Sequence, residues 1–304
     1  MTADSIALQQ LQHRLRELLP PEYQDSYELM APVSMGSAAL QFGTDGQVAW
    51  DRIWGSFCDL AMAGGPPHRG SLLEPADRAA IAANHGRHAE VGREICRGIA
   101  MVTGLRADPL PEDGWVRVDC ESEPMAQWLM RAITMENVAV RVERTSIDLP
   151  AAPSYRLARE VKNVVTVVAK TAHYWTGHMS RSQQLRVADL FTQMERESPL
   201  LAPAHSHAGN DQEPPLTSAI GARLRALTGM TPAESRYRGW VGLHTTGVRA
   251  AVWMMRLMVT MNIVSRREDE VLFLPVDPGI DPLGARVVAA TASVFRYARA
   301  RGVA

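Results

Sequence analysis

"GWVRVDCESEPMAQWLMRAITMENVAVRVERTSIDLP" (residues 114–150) returns further along the chain as "GWVGLHTTGVRAAVWMMRLMVTMNIVSRREDEVLFLP" (residues 239–275). The two stretches align without a gap at an offset of 125, and 12 of their 37 positions are identical. The offset persists upstream, where Gly104 corresponds to Gly229. This spacing is far longer than the roughly 20–50 residues of a solenoid repeat. We therefore predict a tandem duplication that forms two pseudo-symmetric lobes.

Each copy has the pattern of one strand, one helix, two short strands and a long helix. Gly-Trp-Val begins the first strand, and apolar residues then recur at helical spacing, as at Met125, Trp128 and Leu129. Asn137 and Asn262 mark the turn that follows, because asparagine tolerates a left-handed backbone. The predicted short strands are 138–143, 146–149, 263–268 and 270–274, and the predicted long helices are 154–175 and 284–300. This βαββα pattern predicts an α+β fold with mixed sheets.

The chain is predicted to comprise an N-terminal helix and linker (1–30), a first repeat lobe (31–150) and a second repeat lobe (151–304). The lobes together would form one pseudo-twofold domain. Residues 4–19 have the pattern of an amphipathic helix, which either covers this domain or pairs with a second subunit. In the first lobe, a strand at 38–42 and a helix at 48–63 are expected to open the fold.

Composition and charge exclude several classes of function. The formal net charge is -1, so no basic surface attracts nucleic acid. No apolar run approaches the roughly 20 residues of a membrane span. The three cysteines, Cys58, Cys96 and Cys120, are far apart, which favours reduced thiols in a cytoplasmic protein. A small-molecule ligand is the expected partner, and a homodimer stays open.

Two lysines stand out in a chain that otherwise uses arginine as its cation. Lys162 and Lys170 are the only lysines among 32 basic residues. With Thr166 and His173 they form one polar stripe on a helix rich in valine and alanine. A lysine in such a place can hold a carboxylate or phosphate, move a proton or act as a nucleophile. The alternative is a solvated stripe in which Lys162 pairs with a nearby carboxylate such as Glu160.

A glycine-rich loop, "AGGPPHRG" at residues 63–70, suggests anion binding. Backbone N–H groups of Gly64 and Gly65, with the side chains of His68 and Arg69, can bind a phosphate or carboxylate. The loop lacks the Gly-Lys-Ser/Thr of a Walker motif. A tight Gly-Pro loop without a ligand is the alternative.

The histidines suggest a divalent transition metal as cofactor, because neutral imidazole is a common metal ligand. His205 and His207 form a His-x-His pair, and His178 is a further candidate ligand. His173 and His178 are five residues apart, so they diverge on an α-helix unless the helix changes near Gly177. Histidines in loops are also common surface groups.

These patterns predict a small-molecule enzyme that acts on an anionic substrate in a cleft between the two lobes. Lys162, with His68 and Arg69, would hold the anion, and Lys170 or His173 would move a proton, with a metal as an optional assistant. One alternative is a non-catalytic carrier that binds a metal or another ligand through the histidine-rich loops. Another is a scaffold that dimerises through its N-terminal helix.

Overall fold

The computed structural model describes residues 3–27, 39–53, 60–63, 65, 70–110, 114–204, 213–234 and 236–304. Its helices are α1 (Ala3–Leu18), α2 (Trp50–Ile53), α3 (Arg78–Ala83), α4 (His85–Thr103), α5 (Glu123–Met135), α6 (Lys162–His173), α7 (Arg181–Glu197), α8 (Glu213–Thr228), α9 (Val248–Thr260) and α10 (Ala285–Ala300). Its strands are β1 (Ala107–Leu110), β2 (Trp115–Asp119), β3 (Arg141–Glu143), β4 (Ser146–Pro150), β5 (Thr231–Pro232), β6 (Trp240–His244), β7 (Arg266–Glu268) and β8 (Val271–Pro275). Helices and strands together give the predicted α+β class.

The chain divides into two compact units. The first unit is Ala31–Gln184, and the second unit combines Met1–Met30 with Leu185–Ala304. Residues 151–184, which the sequence assigned to the second lobe, belong to the first unit because α6 packs against α4 and α5. The N-terminal segment belongs to the second unit because α1 packs against α9.

Each unit contains a four-stranded sheet with the same strand order. The order is β1-β2-β4-β3 in the first unit and β5-β6-β8-β7 in the second. The central pairings also correspond at the offset of 125: Val116 faces Leu149, and Val241 faces Leu274. The sequence therefore located the central strands and their turns well, while the common origin of the two copies stays a prediction.

The prediction of mixed sheets is wrong, because every pairing between the named strands is antiparallel. The helix that follows β2 leads to β3, but β4 lies between these two strands, so the crossover makes no parallel neighbours. The edge strands β1 and β5 were missed as strands, and each pairs antiparallel with the strand that follows it. Among the described residues, parallel pairing is confined to the single bridges Leu73–Val138 and Leu201–Ile263.

The expected opening elements are also corrected. Within residues 39–53, the predicted strand is reduced to one bridge between Phe42 and Val48. The predicted helix 48–63 is described on either side of residues 54–59, as α2 and as a 3₁₀ turn at Ala61–Ala63. A glycine and an aspartate at 43–46 turn the chain here, and such residues favour turns over extended pairing.

α5 and α6 pack against each other in the core of the first unit. The Ser122 side chain caps the start of α5 by accepting the N–H of Met125. The apolar face of α5, including Met125, Trp128 and Leu129, has no exposed surface. The Trp128 ring lies 5.8 Å from the ring of Trp175, measured between centroids, and Trp175 lies in the turn that follows α6. α6 also packs against α4, and it is buried on nearly all sides, so its two lysines are buried as well.

The N-terminal helix covers the core of the second unit. Leu15, Leu18 and Leu19 are buried, and α1 contacts α9. Burying three leucines stabilises this arrangement by roughly 1.5–3 kcal/mol each. Of the two roles that the sequence left open for this helix, the covering role is therefore present. Within the described residues, no helix is long and apolar enough to cross a membrane.

Candidate functional site

The polar stripe of α6 is largely buried. Lys162, Thr166 and Lys170 are between 2% and 7% exposed, whereas His173, at the end of the helix, is exposed. The Thr166 hydroxyl donates to the carbonyl of Lys162 at 2.7 Å, as a threonine inside a helix often does. The Thr166 hydroxyl therefore bonds to the helix backbone. The candidate chemical groups of the stripe are its lysines.

Lys170 forms a buried ion pair with Glu136. The Lys170 Nζ lies 2.6 Å from Glu136 Oε1, and the two side chains are 3% and 0% exposed. Glu136 Oε1 also accepts the backbone N–H of Ala61 at 2.8 Å. Among the described residues, Glu136 Oε2 has no hydrogen-bond partner although it is buried. Buried polar atoms of folded proteins are nearly always paired, so this oxygen calls for a physical explanation.

Glu136 was not predicted from the sequence, although the repeat contains a signal for it. At the offset of 125, Glu136 corresponds to Met261 and Lys170 corresponds to Phe295. The register holds in this helix too, because Thr291 donates to a carbonyl four residues back as Thr166 does. One copy therefore has an opposite-charge pair where the other has two apolar residues. If positions 136 and 170 are in contact, their residues are expected to differ together between the two copies, as they do.

The glycine-rich loop begins and ends beside this ion pair. Upstream, Ala61 donates its N–H to Glu136, and the Gly65 N–H bonds to the Leu60 carbonyl at 2.8 Å. Downstream, the Leu73 N–H bonds to the Asn137 carbonyl at 2.8 Å. Both ends of the predicted anion-binding loop are thus attached to two consecutive residues that follow α5.

Several predicted site residues lie outside the described residues. In the loop these are Gly64, His68 and Arg69, and in the second unit they are His205 and His207. Their roles stay predictions. Of the predicted loop residues, Gly65 is described and is partly buried.

Lys162 lies at the first turn of α6 and is 7% exposed. Burial lowers the pKa of Lys162, because the charged ammonium loses its hydration. The side chain is thus buried and not solvated. Its pairing with a nearby carboxylate such as Glu160, and its role in anion binding, stay predictions.

His173 and His178 come together at the end of the same helix. A π-helical turn, Tyr174–His178, follows α6 and brings residues five apart to one side of the helix. The two Nε2 atoms lie 3.0 Å apart, and both side chains are exposed. Within the part of the chain that the structure describes, no group of three or more metal-binding side chains occurs.

The described cysteines are unsuited to nucleophilic catalysis. Cys96 and Cys120 are free thiols in buried positions, as the sequence predicted. Burial raises the pKa of each thiol to about 12, and the nearby carboxylates of Asp108 and Asp119, respectively, add to the effect. Since the thiolate is the reactive form, these thiols are inert at neutral pH.

A groove of about 610 Å³ in the second unit contains two arginines that the sequence did not single out. Arg14 pairs with Glu197 at 2.6 Å. Arg286 donates to the carbonyls of Met261 and Asn262, at 3.1 Å each, and so satisfies the C-terminal end of α9. Both guanidinium groups hold the unit together, which leaves the first unit as the better candidate for chemistry.

Comparison of the chain with models of protein families, with curated proteins and with solved structures gives no match.

Proposed function

We propose that the protein is a small-molecule enzyme that acts on an anionic substrate, with Lys170 and Glu136 of the first unit as its proton-handling pair. The observation that carries this proposal is the buried contact of 2.6 Å between the two groups, in which the second carboxylate oxygen has no partner among the described residues. A lysine and a glutamate in hydrogen-bond contact can pass a proton between them, and exclusion of water strengthens their interaction with a bound charge.

The charge balance along α6 favours an anion as the ligand. Two ammonium groups, those of Lys162 and Lys170, are buried on this helix, and one buried carboxylate, that of Glu136, contacts Lys170. Exclusion of water strengthens the attraction between an ammonium group and an anion, so the two buried lysines would favour a carboxylate or phosphate as the ligand. Lysine suits this role because its compact ammonium binds an anion as a point charge and can also release a proton.

The attachment of the glycine-rich loop supports the same location. Ala61 and Leu73, which flank the loop on its two sides, bond to Glu136 and to Asn137, respectively. In the proposed enzyme, His68 and Arg69 would contact the anionic part of the substrate. His173 remains an alternative proton carrier, since it lies three residues beyond Lys170 and is exposed.

A duplication followed by divergence would explain why one unit has the chemistry. We infer that the two units derive from one ancestor, since their strand order and register agree at a constant offset. The first copy has the pair Glu136 and Lys170, and the second has Met261 and Phe295 in their places. The second copy would then serve as a scaffold.

The experiment compares three proteins on a panel of small carboxylates and phosphate monoesters, with product formation followed by NMR. The single variant Lys170→Met leaves the Glu136 charge buried without its partner, so it should lose about 3–5 kcal/mol of stability. The double variant Glu136→Met/Lys170→Met places an apolar pair in the same positions, as the second copy does, and should fold normally. The double variant therefore distinguishes loss of catalysis from loss of folding.

We expect the wild-type protein to convert at least one compound of the panel, and the folded double variant to be slower by at least about 100-fold, in the range of general acid–base catalysis. Equal rates for the wild type and the double variant would exclude the pair from catalysis. Absence of turnover by the wild type over the whole panel would count against the enzyme and favour a carrier.

A metal-binding carrier is the second candidate, and the observation in its favour is the contact between His173 and His178. A scaffold that dimerises through α1 stays a prediction, and it must be reconciled with the burial of that helix against α9.

A further inference from the structure

The π-helical turn after α6 gives two histidines a geometry that an α-helix would not allow. In an α-helix, residues five apart point about 140° away from each other, whereas a π-helix pairs residue i with residue i+5. His173 is the last residue of α6, and His178 is the last residue of the turn. The turn therefore directs both imidazoles to the same side.

The rings approach through their Nε2 atoms at an angle. These nitrogens are 3.0 Å apart, the ring centroids are 4.8 Å apart, and the planes meet at 75°. A head-on hydrogen bond along both ring axes would place the centroids further apart, because each centroid lies a ring radius behind its nitrogen. The ring axes are therefore inclined to the line that joins the two nitrogens.

The separation of the two nitrogens fits one shared transition-metal ion. With Zn–N bonds of about 2.0–2.1 Å, two nitrogens on one ion at angles between octahedral and tetrahedral lie about 2.9–3.4 Å apart. The observed 3.0 Å falls in this range, so metal binding needs little movement of either side chain. Both Nε2 atoms must be unprotonated to bind the ion. A neutral imidazole that carries its proton on Nδ1 meets this requirement without net release of a proton.

The surroundings of the pair also suit a cation. Both histidines lie at the C-terminal end of a helix, where the exposed carbonyls and the helix dipole favour positive charge. The Tyr174 ring packs against His178, with 4.9 Å between the ring centroids, and limits its rotation.

We propose that His173 and His178 chelate one divalent transition-metal ion, such as zinc, nickel or copper, through their Nε2 atoms. The ion keeps open positions for water or for an external ligand. This site is independent of the proposed chemistry of Lys170 and Glu136, and it differs from the predicted His205 and His207 pair. Its affinity is set by two ligands on an exposed helix end, so the site favours exchangeable metal over a permanently bound ion.

The test uses the full chain with His205→Ala and His207→Ala, so that the predicted loop pair does not contribute. Zinc or nickel alone is titrated by calorimetry, and the bound metal is counted by mass spectrometry after equilibrium dialysis. We expect one ion per chain, with the affinity reduced at least tenfold by either His173→Ala or His178→Ala. His244→Ala is the matched control, because His244 is exposed and lies in the second unit.

Circular dichroism of each variant checks that the fold is retained, which is expected because both histidines are exposed. The site would be refuted by an affinity that is the same with and without these two imidazoles. It would equally be refuted if the background chain bound no zinc or nickel at metal concentrations up to about 1 mM, the weak end of specific affinities.

Discussion

A single histidine in α4 shows how one residue can make stability depend on pH. His88 is 3% exposed, and neither of its ring nitrogens has a hydrogen-bond partner among the described residues. Burial lowers the pKa of His88, and the charge of His85 lowers it further. The folded protein therefore keeps this ring neutral at a pH where the unfolded chain already protonates it.

We predict that His88→Leu raises the melting temperature, and that the gain grows on acidification. At pH 8 the change removes two unpaired buried atoms, which is worth on the order of 1 kcal/mol. As the pH falls below about 6.5, the unfolded wild type binds a proton that the folded form refuses, so wild-type stability declines. The leucine variant lacks this decline.

Thermal denaturation of both proteins at pH 8 and at pH 5 measures the effect. His244→Ala, at an exposed position, should shift neither curve. A difference between His88→Leu and the wild type that is equal at the two pH values would show that His88 does not titrate as described.

A second comparison at this scale concerns two arginines that correspond in the repeat. Arg141 bonds to the buried carboxylate of Asp148 at 2.7 Å. Its counterpart, Arg266, has a fully buried side chain, lies 4.0 Å from the centroid of the Phe273 ring and pairs with Glu268 at 2.7 Å. Arg141 also lies 4.8 Å from the centroid of the Trp115 ring. In both units, therefore, a carboxylate and an aromatic face hold the arginine.

At the scale of the element, left-handed turns fix where helices end and strands begin. α4 ends at Gly104 with φ of 74°, and Gly114 precedes β2 with φ of 62°. The two glycines differ in their surroundings. A Cβ at position 104 would meet no atom within 4 Å, whereas a Cβ at position 114 would overlap with the carbonyl oxygen of Ala76.

Alanine at these two positions should therefore have unequal effects. In Gly104→Ala the only unfavourable contribution is the left-handed backbone of a residue with a side chain. We expect it to lower the free energy of unfolding by about 1 kcal/mol. Gly114→Ala must also displace the segment at Ala76, so we expect a cost of at least about 2 kcal/mol. Urea denaturation of the two variants provides the comparison. Equal costs would mean that the close approach of Ala76 does not restrain the start of β2.

At the scale of the whole molecule, the second unit is assembled from the two ends of the chain. α1 covers α9 with buried leucines, and Arg14 bonds to the carbonyl of Thr260 at 3.3 Å. Arg186 of α7 pairs with Glu17 at 2.8 Å, which adds a further link between distant parts of the sequence. The N-terminal helix is thus a structural part of this unit.

Deletion of residues 1–20 should expose the covered face of α9. Loss of three buried leucines predicts destabilisation of the second unit by roughly 5 kcal/mol. Hydrogen exchange should accelerate in α9 and α10 and stay unchanged in α4–α6, whose contacts with one another do not involve α1. If α1 instead acts only in dimerisation, the deletion would change the mass in solution while protection in α9 persists.

The sequence alone determined the central helices and hairpins, because apolar periodicity and turn residues act locally. The α5 and α9 helices, the hairpins after Asn137 and Asn262 and the helix ends at Gly104 and Gly229 all follow from side chains within a few residues. It also singled out Lys170 as one of only two lysines in the chain.

Only the tertiary structure decided what these residues contact. Lys170 meets Glu136 across 34 positions of the chain, at 2.6 Å, and no local pattern specifies a pairing at that separation. The antiparallel order of each sheet likewise depends on the insertion of one strand between two others, β4 between β2 and β3 and β8 between β6 and β7. This insertion depends on which strands pair, and not on the local conformation of any strand. His173 and His178 lie on one side of the helix because the chain continues from α6 in a π-helical turn. The hydrogen bonds of this turn span one residue more than those of an α-helix. Packing selects this turn, and composition does not encode it.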